Sequence, residues 1–410
     1  MGKINLNLKS DLSNKKINAL FDAFELGTEG IELIALALQD KNREVRQTAL
    51  FLLSESNLES AKYALSDYSM LSKFACLSTS TGFKQVFDYY EFKYPEYFAI
   101  ADLYDLLITY WNSSRGNWIQ TYSLINGKKS NFRSLPSGHT DEVRLGLNGK
   151  YIIISYQHHY EILYTDGLKN TNKYNSWGGV SNIFLQPEAG CFSVAKNKDT
   201  LMVSGTDYYK ELEIKNYDTC SSVFKYKFNR YETLLVDRDL YPGLNKNDNY
   251  LISPLRLTPN GDFLVVRFGD FINKNEFTIK IWNTATKKLI QTIENLPRLT
   301  ITSLGVNPEH QIIACGIRNN KTYVWELKTD SIIYTVNEIA PCILSDDGRI
   351  LIYATVNYEI VIVDLVSKKT LNILQGHTAP IIYLALSGDR EFLASYSEAM
   401  VIKIWGISQP

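Results

Sequence analysis

The stretch that decides the fold closes the chain: Gln375-Gly376-His377-Thr378, then Ile381-Ile382-Tyr383-Leu384-Ala385-Leu386-Ser387-Gly388-Asp389, then Phe392-Leu393-Ala394-Ser395-Tyr396-Ser397, then Val401-Ile402-Lys403-Ile404-Trp405. Three of these runs place apolar residues at every second position, the period of a half-buried strand. Gly388-Asp389 and Glu398-Ala399 separate them where the chain must turn. His377 and Trp405 stand about 28 residues apart, inside the roughly 40-residue period of a four-stranded repeat.

One such sheet cannot cover its own faces, so copies are expected. Residues 313–325 fit the same register, ending Thr322-Tyr323-Val324-Trp325, with Asn319 at the second turn. Residues 351–363 fit it too, ending Ile360-Val361-Ile362-Val363-Asp364, with Asn357 at that turn. Thr278-Ile279-Lys280-Ile281-Trp282 repeats the third strand. Fourth-strand candidates follow at 288–293, 331–336 and 370–374, after polar turns such as Asn283-Thr284-Ala285-Thr286 and Lys328-Thr329-Asp330.

This pattern resembles a WD repeat. In that family the Gly-His, a Ser or Thr of the second strand, an Asp of the following turn and the Trp form a buried hydrogen-bond network. Here Ala399 stands where the Asp would be. The network is expected to be incomplete in this repeat, with apolar packing contributing more. The resemblance is strong from about residue 255 to the end and traceable back to about residue 74.

At 410 residues with a net charge of −1, the chain has room for a large propeller, and its balance argues against a surface built for phosphate backbones. The five cysteines, Cys76, Cys191, Cys220, Cys315 and Cys342, are scattered. No CxxC pair occurs, so neither a zinc site nor a disulfide framework is suggested. Cys315 and Cys342 fall within strand patterns and read as buried, inert thiols. The polar N-terminus lacks a signal-peptide core, and no run approaches a membrane span; both point to a cytoplasmic chain.

From about Ser13 to Asp67 the apolar period becomes helical. Residues 1–12 read as a loose lead-in. Ile17, Leu20, Phe21 and Phe24 form one stripe, and Ile31, Ile34, Ala35 and Leu38 a second. Thr28 is the expected N-cap of the second helix and Asn42 that of the third, where Val45, Ala49, Leu52 and Leu53 share a face. A shorter helix carries Ala61, Ala64 and Leu65. Residues 36–49 resemble a HEAT repeat. A solenoid needs about three repeats, so this arm is expected to pack on the propeller or on a partner.

The last repeat lacks a fourth strand, and an open edge is a liability. Phe74-Ala75-Cys76-Leu77-Ser78-Thr79, just before Gly82-Phe83, is expected to supply it. The resulting expectation is a mainly β chain. A HEAT-like arm occupies 1–72, and a seven-bladed WD-repeat propeller occupies 73–410, closed by residues 74–79. Two insertions break the period, at 230–250 and 269–276. Both are expected to thicken one lip of the fourth blade, where long loops on a rigid scaffold serve recognition.

Candidate chemistry is sparse. His158-His159 invites a metal reading, but neighbours on a strand face opposite ways and no third ligand can be named. His139 and His377 take the Gly-His position, which points to structural hydrogen bonding. Asp346-Asp347-Gly348, Asn260-Gly261-Asp262 and Gly388-Asp389 read as turns. Phosphate-loop, GxSxG and HExxH motifs do not occur. The 27 tyrosines, several of them in expected hairpins, suit protein interfaces and also suit blade packing.

The partner-binding residues expected at the lip are Tyr231, Asp237, Arg238, Asp239, Tyr241, Phe271, Asn273 and Lys274, with Tyr208 and Tyr209 beside them. No catalytic, cofactor or metal residue is expected. The whole pattern resembles bacterial WD-repeat proteins with a short HEAT-like arm. That implies a non-catalytic scaffold, sensor or accessory subunit that binds another protein, such as an effector enzyme, and neither nucleic acid nor a membrane. The alternative is a propeller hydrolase or lyase with its site at the central channel.

Overall fold

The structure is a computed structural model. It describes residues 4, 7–10, 12–40, 42–56, 58–67, 71–80, 95, 97–111, 116–135, 140–146, 149–156, 160–170, 191–194, 201–206, 211–216, 222–227, 232–234, 255–270, 277–296, 300–307, 311–318, 321–329, 331–337 and 341–407. The chain divides into two units: Met1–Ala75 with Asp389–Glu391 and Gly406–Pro410, and Cys76–Gly388 with Phe392–Trp405.

The first unit is helical, with α1 (Ser13–Phe24), α2 (Thr28–Ala37), α3 (Arg43–Glu55) and α4 (Glu59–Asp67). Leu20, Ala23, Ile31, Ile34, Val45, Ala49, Leu52, Leu53 and Ala61 form its core. Asn42 caps α3 as expected, its Oδ1 accepting from the N–H groups of Glu44 at 2.9 Å and Val45 at 3.3 Å. Thr28 is not a cap. It is the first helical residue, and Gly27, at φ 62°, makes the sharp entry. Ile17, Leu20 and Phe24 of the expected α1 stripe pack in this core, with Ala19 and Ala23 buried beside them, whereas Phe21 is half exposed. The small alanines let α1 approach its neighbours closely, which turns the bulkier Phe21 outward. Ile4, expected in a loose lead-in, packs into this core.

A buried charge cluster completes the unit. Arg46 Nε donates to Glu391 Oε1 at 2.7 Å and Arg43 Nε to Glu391 Oε2 at 2.9 Å. Arg46 Nη1 donates to the Asp40 carbonyl at 2.8 Å. Both oxygens of the buried carboxylate are therefore satisfied, as burial of a charge requires.

The second unit is built of antiparallel strands. It opens with β1 (Ala75–Ser80). The strands β2 (Tyr97–Ala101), β3 (Leu106–Trp111), β4 (Asn117–Ser123) and β5 (Lys129–Leu135) form one sheet. A second holds β6 (Thr140–Gly146), β7 (Tyr151–Tyr156), β8 (Tyr160–Tyr164) and β9 (Lys169–Asn170). A third holds β10 (Cys191–Val194), β11 (Leu201–Thr206), β12 (Glu211–Asn216) and β13 (Ser222–Lys227). Then come β14 (Glu232–Leu234), β15 (Leu255–Leu257), β16 (Phe263–Asp270), β17 (Phe277–Asn283) and β18 (Lys288–Leu296) in one sheet. The next is β19 (Thr300–Val306), β20 (Ile312–Arg318), β21 (Lys321–Glu326) and β22 (Ser331–Val336). It is followed by β23 (Cys342–Leu344), β24 (Ile350–Ala354), β25 (Ile360–Asp364) and β26 (Lys369–Leu374). The last sheet runs β1, β29 (Val401–Gly406), β28 (Phe392–Ser397), β27 (Ile381–Leu386), so its outer strand comes from residues 75–80.

The expected seven-bladed count is corrected to six blades. Six sheets among the described residues follow the four-strand plan, whereas residues 232–296 make a five-stranded sheet. There β14 and β15 lie end to end along one edge of β16. The cause is the insertion at 230–250, which contributes a strand that the repeat does not have.

First strands of successive sheets pack together: β2 on β6, β6 on β10, β19 on β23, β23 on β27, and β27 on β2. This is the packing of a β-propeller, in which each sheet covers the face of the next. The cores follow suit. Ile313, Cys315, Val324 and Val336 pack with Cys342, Leu344, Leu351 and Val363 of the following sheet.

Among the described residues, the turns after five third strands are built alike. The first residue after the strand is buried, and its N–H donates to a carbonyl near the start of the second strand: Leu124 to Asp105, Thr165 to Lys150, Thr284 to Asp262, Leu327 to Ile312 and Leu365 to Arg349, at 2.8–3.1 Å. Cys315 and Cys342 are buried within strands, as expected. They are not separate, because their sulfur atoms meet between β20 and β23, with Cα atoms 7.0 Å apart.

Candidate interaction surface

The last repeat shows its signature residues in contact. His377 Nε2 is 2.6 Å from Ser395 Oγ, and Trp405 Nε1 donates to the same oxygen at 2.8 Å. His377 Nδ1 is buried and finds no partner among the described residues. That is the place the missing Asp would fill, since Ala399 offers no acceptor. Burial lowers the imidazole pKa to about 4, with the nearby Lys403 ammonium adding to the effect. A neutral, buried imidazole between a hydroxyl and an indole holds strands together and has no substrate-facing role.

The ten residues expected at the lip, Tyr208, Tyr209, Tyr231, Asp237, Arg238, Asp239, Tyr241, Phe271, Asn273 and Lys274, all lie outside the described residues, as do His139, His158 and His159. The strands that carry the insertions are described. Glu232 and Asp270 are Cα partners on β14 and β16. Leu234 pairs with Phe268 and Leu255 with Val266. The excursion between β14 and β15 thus leaves and rejoins one edge of β16 two residues apart.

Acidic groups also meet at turns between first and second strands. The Gly388 N–H donates to Asp102 Oδ1 at 2.8 Å. A Cβ at Gly388 would stand 2.9 Å from Asp102 Oδ2 and 3.5 Å from Asp346 Oδ2. The Asp102 carboxylate holds a turn, and no histidine joins it among the described residues. No group of three or more His, Cys, Asp or Glu suited to a metal ion occurs among the described residues either. No helix there is long and apolar enough to cross a membrane.

Sequence reasoning missed the backbone of the turns after the third strands. Gly127, Leu168, Lys287 and Lys368 occupy one equivalent position and are all left-handed, at φ 67°, 51°, 60° and 55°. Only Gly127 carried a sequence signal. A lysine in that conformation is legible only once the repeats are superposed.

No family model matches the chain. It is similar to WD repeat-containing protein 90 of Homo sapiens, with 28% identity over 122 residues. The match covers 29% of this chain and 7% of the human protein. Together with the repeating four-stranded sheets, that similarity supports a WD-repeat-type β-propeller.

Proposed function

We propose that the chain is a non-catalytic interaction scaffold or accessory subunit that binds a partner protein through the lip at the insertions 230–250 and 269–276. The propeller fold and the WD-repeat similarity support a protein-interaction scaffold in general. The observation that favours this lip is the Glu232–Asp270 pairing, which roots two independent insertions at one end of one sheet. A rigid sheet carrying adjoining long loops is a common way to build a recognition surface. A HEAT-like arm over residues 1–72 would supply a second surface, and an effector enzyme is a fitting partner.

The test compares proteins recovered from native extract by the intact chain and by a variant with residues 236–249 replaced by a short Gly-Ser linker. Loss of specific bands with an unchanged unfolding midpoint supports the lip. Equal recovery by both overturns it.

A further inference from the structure

We infer that the turns after the third strands form a second docking surface, for an acidic, extended polypeptide segment carrying aromatic or aliphatic side chains. The surface is independent of the insertions.

Consider the three successive sheets that end in β18, β22 and β26. Their turns present Lys287 and Lys288, then Lys328, then Lys368 and Lys369, all exposed. The first sheet repeats the arrangement with Lys128 and Lys129. The turn at 283–288 carries no acid, whereas Glu326 and Asp330 flank Lys328 in sequence. Asp364 is engaged by Arg349 Nε at 3.0 Å and Nη2 at 2.8 Å. Its other oxygen accepts from the N–H groups of Val366 and Ser367, fixing the turn that carries Lys368.

Three further features point to a polypeptide. Apolar side chains are exposed beside the lysines: Leu289, Ile290, Ile332, Val366 and Ile373. Lysines that merely blunt a sheet edge need no such neighbours. Two of these sheets are also tied together, because Gln291 Nε2 of β18 donates to the Leu327 carbonyl at 2.9 Å and the Lys328 carbonyl at 3.2 Å in the next sheet. Finally, β18, β22 and β26 are each the last strand of their sheet among the described residues. An extended peptide can use that edge, the cations and the apolar side chains together, because it alone offers both donors and acceptors in register with a strand. Lys287 and Lys368 moreover keep the left-handed backbone that Gly127 adopts without strain, so lysine is present despite the local conformation.

The test uses the full chain and two labelled polymers of matched length, poly-glutamate and a random glutamate–tyrosine copolymer, read by fluorescence anisotropy. Both are expected to bind at low salt, the copolymer more tightly, with affinity falling as salt rises. Combining Lys287→Glu, Lys288→Glu, Lys328→Glu, Lys368→Glu and Lys369→Glu should weaken binding by about tenfold or more, with Lys321→Glu without effect. Leu289→Ser with Ile290→Ser should remove the copolymer's advantage and leave poly-glutamate binding unchanged, which separates docking from a folding defect. Unchanged binding by the charge-reversed protein overturns the inference. So does equal or tighter binding of phosphatidylserine vesicles or of a DNA duplex.

Discussion

Arg46 Nε lies 2.7 Å from Glu391 Oε1, across 345 positions of sequence, with both side chains almost wholly buried. A buried ion pair is weak evidence of net stability, because desolvation offsets the attraction. Removal of one partner is different, since it strands a charge. Glu391→Ala is expected to destabilise the protein by about 3–5 kcal/mol, read from the urea midpoint. Arg46→Met combined with Glu391→Leu should cost clearly less than the two single changes added. Additive losses would show that the pair is not coupled.

His377 gives the fold a pH dependence of defined sign. Burial holds its pKa at about 4, below the ordinary value of 6.5. The unfolded chain therefore takes up this proton first as pH falls. The contribution is complete above about pH 6.5, declines between 6.5 and 4, and is lost below 4. Thermal unfolding followed at pH 7 and at pH 4.5 should show a larger drop for the wild type than for His377→Gln. An equal drop in both would place the sensitivity elsewhere.

Restoring the absent acceptor tests the same network from the other side. Ala399→Asp is expected to accept from His377 Nδ1, add about 0.5–1.5 kcal/mol of stability and raise the imidazole pKa. NMR titration of the His377 ring reads the second effect directly. No movement of that titration would mean that the carboxylate does not reach the ring.

Close approach between sheets makes Gly305 hard to replace. A Cβ there would stand 2.4 Å from the Gly348 nitrogen and 2.6 Å from the Ser345 carbonyl oxygen. Both are backbone atoms of the neighbouring sheet, so no side chain can swing aside. Gly305→Ala should destabilise by at least about 1–3 kcal/mol in denaturant unfolding. A neutral result would show that the sheets can part without loss.

Lys368 separates stability from binding. At φ 55° a glycine is conformationally easier, and Lys368→Gly should be neutral or stabilising by up to about 1 kcal/mol while weakening binding to the glutamate–tyrosine copolymer. Loss of stability instead would mean that the turn depends on the lysine side chain.

Much of the β architecture was legible locally. Alternating apolar residues mark β27, β28 and β29, and the spacing of His377, Ser395 and Trp405 foretold their contact. Asn42 announced its helix in the same way, because a cap depends on residues two and three positions ahead. The number of regular blades was not legible. A three-residue strand such as β14 has no periodicity to read, and its pairing with β16 is made across some 38 residues. The ten expected lip residues cannot be compared, since they lie outside the described set.

Sequence by itself determined the local facts: strand and helix period, turn residues, the incomplete Gly-His network and the near-neutral total charge. Each of these rests on interactions a few residues apart. Tertiary structure alone decided that Cys315 meets Cys342, that Arg46 finds Glu391, that residues 75–80 lie beside β29, and that Gln291 reaches the Lys328 carbonyl of the next sheet. Those pairings bring together residues 27 to several hundred positions apart. Such contacts form only when packing faces meet and offset the loss of chain entropy, and no local pattern records that.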